Sequence, residues 1–520
     1  MRHAAALCLM LAAGAVQAQE ETSRPLSAID WLSESVNTPD PLSSSSSSTD
    51  RPARAGEDPI ADSANIPEVT VQPLGSASPD PVGVLAPELT GLPRSLWAGS
   101  EVETVAALIA AERIETLPAL RDLMRLLLLA EADAPRGAGP EAALFLARID
   151  KLLDLGALDP AWEMLDAAKP DRPALFRRYF DVALLTSREA QACRLMDEMP
   201  ELAPTLDARI FCLANQGDWP AAALTLNTAQ ALGDVSARDE ALLTRFLDPE
   251  VFEGLPPLPV PDRPTPLDFR LREGIGEALP TTDMPRAFAH ADLREINGWK
   301  ARLEAAERLA RVGAVDDAVL LDLYTLRSPA ASGSVWDRAA AIQALDTALA
   351  EEDAEEVADA LPEAWAAMEE ARTEVPFARL FADRLRSIEL PERAEELATR
   401  IGLLSDIYEE IALGMEPETP QAELLKATAL GQAAETVPPD EMAAAVRAAF
   451  AGAEPPAPLM QMVEEDRLGE AILRAVAIFD NGIAGDPEAV TEALAFLRAV
   501  GLEDTARRAA LQLLLLDRRP

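Results

Sequence analysis

The stretch from Ser187 to Gly233 limits the possible folds more than any other part of the chain, because it reads as three consecutive helices. Apolar residues recur at helical spacing in its first part and again from Leu206 to Leu213. Pro200 and Pro204 bracket the turn between these two helices, since proline does not continue a helix interior. The stretch therefore predicts an antiparallel helical hairpin that is followed by a third helix.

Two cysteines occupy equivalent positions in this predicted hairpin. Cys193 lies seven residues before Pro200, and Cys212 lies eight residues after Pro204. At a rise of about 1.5 Å per residue, both cysteines lie about 10–12 Å from the turn. A disulfide needs this equal height, because its two Cα atoms lie within about 7 Å of each other. We predict the Cys193–Cys212 disulfide. The alternative is a pair of buried free thiols, which are common in protein cores.

The turn after the hairpin has a glycine-to-alanine spacing that recurs along the chain. Glycine ends one helix with a positive φ, and a small alanine five residues later lets the next helix pack closely. The pairs are Gly156/Ala161, Gly217/Ala222, Gly313/Ala318 and Gly501/Ala506. In these turns the chain resembles the tetratricopeptide-like helical repeats, in which such a turn joins paired helices. The resemblance implies an all-α fold, an α-solenoid of irregular helical hairpins, and leaves the exact repeat family open.

The N-terminal residues have the pattern of a secretory signal peptide. Arg2 and His3 precede an apolar run, and Val16-Gln17-Ala18 supplies acceptable residues at the cleavage positions. We therefore predict a cleaved signal peptide over residues 1–18 and a periplasmic protein, with secretion as the alternative. No other segment approaches the length of uncharged apolar chain that crosses a membrane, so we predict no transmembrane segment.

Residues 19–93 are predicted to be a disordered tail, because they are rich in serine and proline and poor in aliphatic residues. One island at 26–36 differs from the rest of the tail. Trp31 lies in it among four apolar residues that share one side of a short helix, namely Leu26, Ile29, Leu32 and Val36. We predict that this island docks into a groove of a partner protein. The alternative is that it packs on the chain's own helices.

The remaining chain divides by composition into three parts. Residues 94–248 and 286–520 have the periodicity of helical-repeat regions, and residues 249–285 form a proline-rich connection between them. Trp336 and Arg338 follow a loop of small residues, and we predict them as anchors of a partner-binding surface. The alternative is that Trp336 packs between hairpins. The segment from Phe288 to Leu345 is also similar to uncharacterised exported proteins of Gram-negative bacteria.

Charge and motifs exclude several classes of function. The net charge of −43 argues against nucleic-acid binding. His290 is the only histidine outside the predicted signal peptide, so a zinc site built on histidines is excluded. The sequence has no Walker loop, dinucleotide-binding glycine motif or EF-hand loop, and we predict no cofactor and no metal. The sequence does not exclude a catalytic site built on paired carboxylates, because 89 acidic residues make such pairs common.

The function predicted from these observations is that of an exported, acidic helical-repeat scaffold or adaptor that binds other envelope proteins. One alternative is an enzyme that acts on the cell wall, similar to the lytic transglycosylases, with a carboxylate site that has no recognisable motif. The other is a purely structural or storage-like acidic envelope protein. The glutamate-serine motif of those enzymes occurs only at Glu34-Ser35, in the predicted tail. The oligomeric state stays open.

Overall fold

The structure is a computed structural model that describes residues 78–516. The predicted signal peptide and the predicted docking segment at 26–36 lie outside the described residues. Every regular element within 78–516 is a helix, and β-pairing there is limited to two isolated bridges. The prediction of an all-α helical-repeat fold is therefore confirmed. None of the described helices combines the length and the apolar composition required to cross a membrane.

The first ten described helices precede the proline-rich run. They span Pro87–Thr90 (α1), Val102–Ala111 (α2), Pro118–Leu129 (α3), Ala143–Leu155 (α4), Leu158–Ala167 (α5), Pro173–Leu185 (α6), Glu189–Glu198 (α7), Leu206–Asn215 (α8), Trp219–Leu232 (α9) and Ala237–Leu247 (α10). Four short 3-10 helices lie at Arg94–Trp97, Pro200–Leu202, Pro249–Phe252 and Arg286–Phe288. Consecutive helices from α4 to α11 pack against each other, as expected for helical hairpins in series.

The later helices begin inside the proline-rich connection. They span Pro266–Gly274 (α11), Ala289–Asp292 (α12), Trp299–Ala310 (α13), Asp317–Thr325 (α14), Val335–Glu351 (α15), Ala354–Ala371 (α16), Glu374–Arg386 (α17), Glu392–Gly402 (α18), Tyr408–Gly414 (α19), Pro420–Ala429 (α20), Glu441–Phe450 (α21), Ala457–Glu464 (α22), Leu468–Ile483 (α23), Pro487–Ala499 (α24) and Glu503–Leu515 (α25). Many begin at a polar cap. For example, Asp353 accepts hydrogen bonds from two backbone N–H groups of α16.

The four glycine turns each join two helices that pack on one another. Their glycines have φ between +66° and +89°, a backbone conformation that favours glycine. They are Gly156, Gly217, Gly313 and Gly501. The sequence spacing thus marks real turns between packed helices.

The alanines that follow these glycines do not form one kind of position. Ala161, Ala222 and Ala506 are each 0% exposed, so they lie in the core between packed helices and offer no side chain to a partner. Ala318 is exposed instead. The buried side of α14 is formed by other residues, namely Leu320, Leu323 and Tyr324. Close packing at a small alanine therefore applies to three of the four turns.

The buried apolar residues form two large clusters, and the chain contributes to the first, then to the second and then again to the first. The first cluster draws on residues 92–291 and again on residues 445–513, and the second draws on residues 299–429 and 511–516. The second cluster is thus inserted within the first. The proline-rich connection belongs to the first cluster, because Phe269 and Leu271 are buried in it.

The two ends of the described chain pack together. Helix α23 packs against α2, α3 and the 3-10 helix at Arg94–Trp97, and α25 packs against α3. A Cβ atom on Gly469 would lie 2.2 Å from the Trp97 ring, so glycine is required for this approach. Opposite sides of α25 enter the two clusters, with Ala510 in the first and Leu511 in the second. The helical array therefore closes on itself.

Candidate binding cleft

A cleft of about 890 Å³ opens between α6, α8, α10 and α11. Its polar and charged lining comes from all four helices and from the extended chain before α11. The charged residues are Arg177, Asp181, Asp207, Arg238, Asp239, Asp262, Arg263 and Asp268. Apolar side chains such as Phe180 and Leu243 form part of the wall. A cleft of this volume is typical of a ligand-binding site.

One wall is the segment 256–265, which we name the strap. It has no regular hydrogen-bonded structure, and three charged side chains hold it in place. Glu277 Oε2 accepts a hydrogen bond of 2.9 Å from the backbone N–H of Leu258. Arg272 donates to the Leu258 carbonyl at 3.3 Å, and Arg245 donates to Glu277 Oε1 at 2.8 Å. These bonds fix the strap over the cleft although it makes no helix or sheet of its own.

Asp268 fixes the point where the strap enters α11. Its carboxylate accepts a hydrogen bond of 3.0 Å from the backbone N–H of Thr265, and the Thr265 hydroxyl accepts one from the Asp268 N–H. This reciprocal pair is a capping box. Arg238 of α10 also donates to Asp268, at 2.7 Å. The Asp268 carboxylate is therefore used in positioning the cleft wall.

Asp181 differs from Asp268 because one of its two carboxylate oxygens, Oδ2, accepts no hydrogen bond. It lines the cleft from α6 and is 7% exposed, and its buried Oδ2 has no hydrogen-bond partner. The Nε of Arg177 lies 3.9 Å from Oδ2, beyond hydrogen-bonding distance. Burial raises the pKa of Asp181 to about 7, against the opposing effect of Arg177 and Arg178. A buried hydrogen-bond acceptor without a donor thus belongs to a residue that lines the cleft.

Asp207 is a second carboxylate with an altered proton affinity. It lies in the first turn of α8 and lines the same cleft. Burial raises its pKa to about 6, with a further contribution from Asp239 and Asp268, and Arg238 opposes the change. The cleft therefore holds two carboxyl groups that change charge near neutral pH.

The predicted cysteine pair lies in the hairpin that supplies one side of the cleft. The two sulfur atoms lie 1.98 Å apart, at the distance of a disulfide bond, and the Cα atoms lie 5.1 Å apart. Cys193 belongs to α7 and Cys212 to α8. The bond thus joins α7 to the helix that places Asp207 in the cleft.

The predicted anchors Trp336 and Arg338 lie in the second cluster, away from the cleft residues. Arg338 is 7% exposed and donates two hydrogen bonds to Glu307, at 2.8 and 2.7 Å. The hydroxyl of Tyr324 donates to the same carboxylate at 2.7 Å. Trp336 is half-buried, and its ring centroid lies 5.0 Å from that of Trp299. The structure thus places Arg338 in an internal ion pair, and Trp336 packs on another helix as in the alternative interpretation.

The residues of the glycine turns do not line the cleft. Ala161, Ala222 and Ala506 are fully buried in the first cluster, where no ligand reaches them. These three alanines are therefore packing positions at the repeat turns.

The cleft was not predicted from the sequence, and only one signal points towards it. Asp181 lies within the apolar run from Phe180 to Leu185, where a carboxylate at a buried helix position is unusual. No such signal marks Asp207, which reads as an ordinary acidic residue in a first helical turn. Within residues 78–516 no group of three or more His, Cys, Asp or Glu side chains is arranged to hold a metal ion.

Comparisons with known proteins identify no relative of this chain. No family model matches it, and neither a curated protein nor a solved structure does.

Proposed function

We propose that this protein is an exported, periplasmic helical-repeat scaffold that binds other envelope proteins. The turns that resemble tetratricopeptide-like repeats and the apolar run behind Arg2 support this proposal. The observation that carries it is the cleft of about 890 Å³ on the helical array. It is walled on one side by the strap and lined by both charged and apolar side chains, a combination that suits a segment of a partner protein.

The proposal predicts that obstruction of the cleft abolishes binding. Val260 of the strap lines the cleft and is 64% exposed, so a larger side chain there obstructs the cleft without overpacking a core. Val437 is 82% exposed in a distant loop and provides the matched control. In affinity capture from a bacterial envelope fraction, V260W should lose the partners that the unchanged protein retains, and V437W should keep them. Equal capture by both variants would reject the cleft as the binding surface.

The segment at 26–36 provides a second contact in the proposed scaffold. Trp31 and the apolar residues beside it are the anchors, since aromatic and aliphatic side chains usually dominate such contacts. Replacement of Trp31 and Leu32 by alanine should weaken capture and leave the melting temperature unchanged. A fall in the melting temperature would instead show that the segment packs on its own chain.

One observation favours the alternative of a cell-wall-acting enzyme. Asp181 has a pKa of about 7 in an accessible cleft, and a carboxyl group with that pKa is suited to general acid catalysis near neutral pH. Incubation of the protein with purified cell wall tests this alternative. Release of soluble wall fragments that is lost in D181N would favour the enzyme. The absence of fragments, together with capture that depends on the cleft, would favour the scaffold.

A further inference from the structure

We infer that the cleft takes a cationic side chain of the bound protein, an alkylammonium or guanidinium group, with Asp181 as its hydrogen-bond acceptor. This inference rests on the proposed function, because it specifies the chemistry of the partner at the same site. It follows from the charge of the lining, from the Asp181 oxygen that has no hydrogen-bond donor and from the charged groups around that carboxylate.

The lining of the cleft carries more carboxylates than guanidinium groups. Five aspartates and three arginines line it. Arg238 and Asp268 form an ion pair with a nitrogen–oxygen distance of 2.7 Å, so the positive charge of one balances the negative charge of the other. The Asp239 carboxylate accepts a hydrogen bond from Ser236 at 2.6 Å. An excess of negative charge facing a cleft attracts a cation and repels an anion.

The carboxylate of Asp181 gains most from such a ligand. A buried polar atom without a hydrogen bond lowers the stability of the state that contains it, and the loss is larger for a charged group. Oδ2 of Asp181 is such an atom, and it belongs to a residue that lines the cleft. An ammonium or guanidinium N–H that reaches this oxygen forms a charge-assisted hydrogen bond. Arg177 forms an ion pair with this carboxylate, but its Nε lies 3.9 Å from Oδ2 and donates no hydrogen bond to it.

The groups around Asp181 set the expected pH dependence. They are Arg177 and Arg178 on α6, Asp207 on α8, Arg238 and Asp239 on α10, Asp262 and Arg263 on the strap, and Asp268 on α11. A cation binds the ionised form of Asp181, so binding and protonation compete. Because Asp181 has a pKa of about 7 and Asp207 one of about 6, affinity for a cation should rise as pH increases from 6 to 8.

The test uses a short peptide with one lysine, acetyl-Gly-Leu-Lys-Leu-Gly-amide, and the same peptide with acetylated lysine. Binding to the full chain is measured by calorimetry or NMR titration in about 0.15 M salt, which screens charges beyond about 8 Å. Asp359 lies on an exposed helix position of the second cluster, so D359N changes the net charge as D181N does. The expected result is binding of the lysine peptide that D181N weakens at least about tenfold and D359N leaves unchanged.

Two further readings support or overturn the inference. The affinity of the unchanged protein should increase between pH 6 and 8, and that of D181N should vary less over this range. Equal weakening in D181N and D359N would show general attraction to an acidic protein and would overturn the inference. Equal binding of the acetylated peptide would overturn it as well, because no cation would be required.

A folding control and a second variant keep the test decisive. Near-ultraviolet circular dichroism establishes whether D181N is folded. If it is not, V260W replaces it, and binding of the lysine peptide must then be lost in V260W and retained in V437W. If the envelope partners require an open cleft but the unchanged protein does not bind the lysine peptide, the scaffold proposal stands and the present inference fails.

Discussion

Two buried charged residues of the second cluster, Glu307 and Arg338, stabilise each other. Glu307 is 1% exposed and accepts hydrogen bonds from Arg338 and Tyr324, and burial together with Glu307 raises the pKa of Tyr324 well above its usual value. Removal of one partner from such a pair leaves an uncompensated buried charge, which costs more than the pair contributes. The stability of this cluster therefore depends on both members being present.

Replacement of Arg338 by methionine tests this dependence. R338M should lower the free energy of unfolding by about 3–5 kcal/mol, because Glu307 then stays buried with only Arg311, at 3.8 Å, to balance its charge. The combination of R338M with E307Q should recover part of that loss, since the remaining group is neutral. Urea denaturation followed by circular dichroism gives both values. A double variant that is less stable than R338M would contradict this account.

Glu112 gives the folded state a dependence on pH. Burial raises its pKa to about 8, Asp480 adds to the effect and Lys151 opposes it. The folded chain therefore keeps a proton that the unfolded chain, with an ordinary value of 4.5, loses at lower pH. Stability falls as pH rises through this interval. E112Q should have a higher melting temperature than the unchanged protein at pH 8 and a smaller difference at pH 5. Equal differences at the two pH values would contradict the assignment.

The sequence predicts some of these residues and misses others for a physical reason. The cysteine pair is predictable because equal distance from a turn fixes equal height in a hairpin. The roles of Asp181 and Arg338 depend on burial by helices that are remote in sequence, which periodicity does not reveal. The sequence predicts residues 249–285 only as a connection. In the structure this connection contains α11, which packs on α6 and forms part of the cleft.

At the scale of helices and connections, the boundary at residue 93 shows where composition misleads. Residues 78–93 resemble a tail in composition, yet they have defined structure. The fully buried guanidinium of Arg148 donates to the carbonyls of Asp80 and Val82, and also to those of Leu128 and Ala130. The segment is thus held through its backbone as well as through Leu92, Val82, Val84 and Leu85, which pack in or against the first cluster.

The disulfide between α7 and α8 is the covalent connection between elements that we predict to matter most for stability. Replacement of both Cys193 and Cys212 by alanine should lower the free energy of unfolding by about 3 kcal/mol, because a closed loop constrains the unfolded chain. Thermal melting of the oxidised protein and of this variant measures the loss. Thiol labelling of the denatured protein should detect two more thiols after reduction than before. The same number in both samples would exclude the bond.

For the whole molecule, the principal feature is that helices from both ends of the described chain share one cluster. The contact of Gly469 with Trp97 holds them at close range, and the backbone N–H of Gly99 donates to the Asp466 carbonyl at 2.9 Å. Local periodicity predicts helical hairpins in series but contains no information about closure. The closed arrangement is therefore visible only in the structure.

Enlargement of Gly469 tests the closure. G469A should lower the free energy of unfolding by about 1–3 kcal/mol, because its Cβ meets the rigid Trp97 ring. Gly414 also lies in a helix, but no atom lies within 4 Å of a Cβ placed there, so G414A is the matched control. Urea midpoints of the two variants provide the comparison. Equal midpoints would show that the contact between the two ends contributes little.

The closure delays folding during synthesis, because it joins helices from both ends of the described chain. While the ribosome is still adding residues 445–516, the first cluster lacks α23 and α25, so helices α2 and α3 can pack on α4 but lack the rest of the surface that buries their apolar sides. Contacts between positions so remote in sequence form slowly, since a long loop must close first. A nascent chain of this design therefore stays incompletely folded until its last helices emerge, and chaperones have that whole interval in which to bind it.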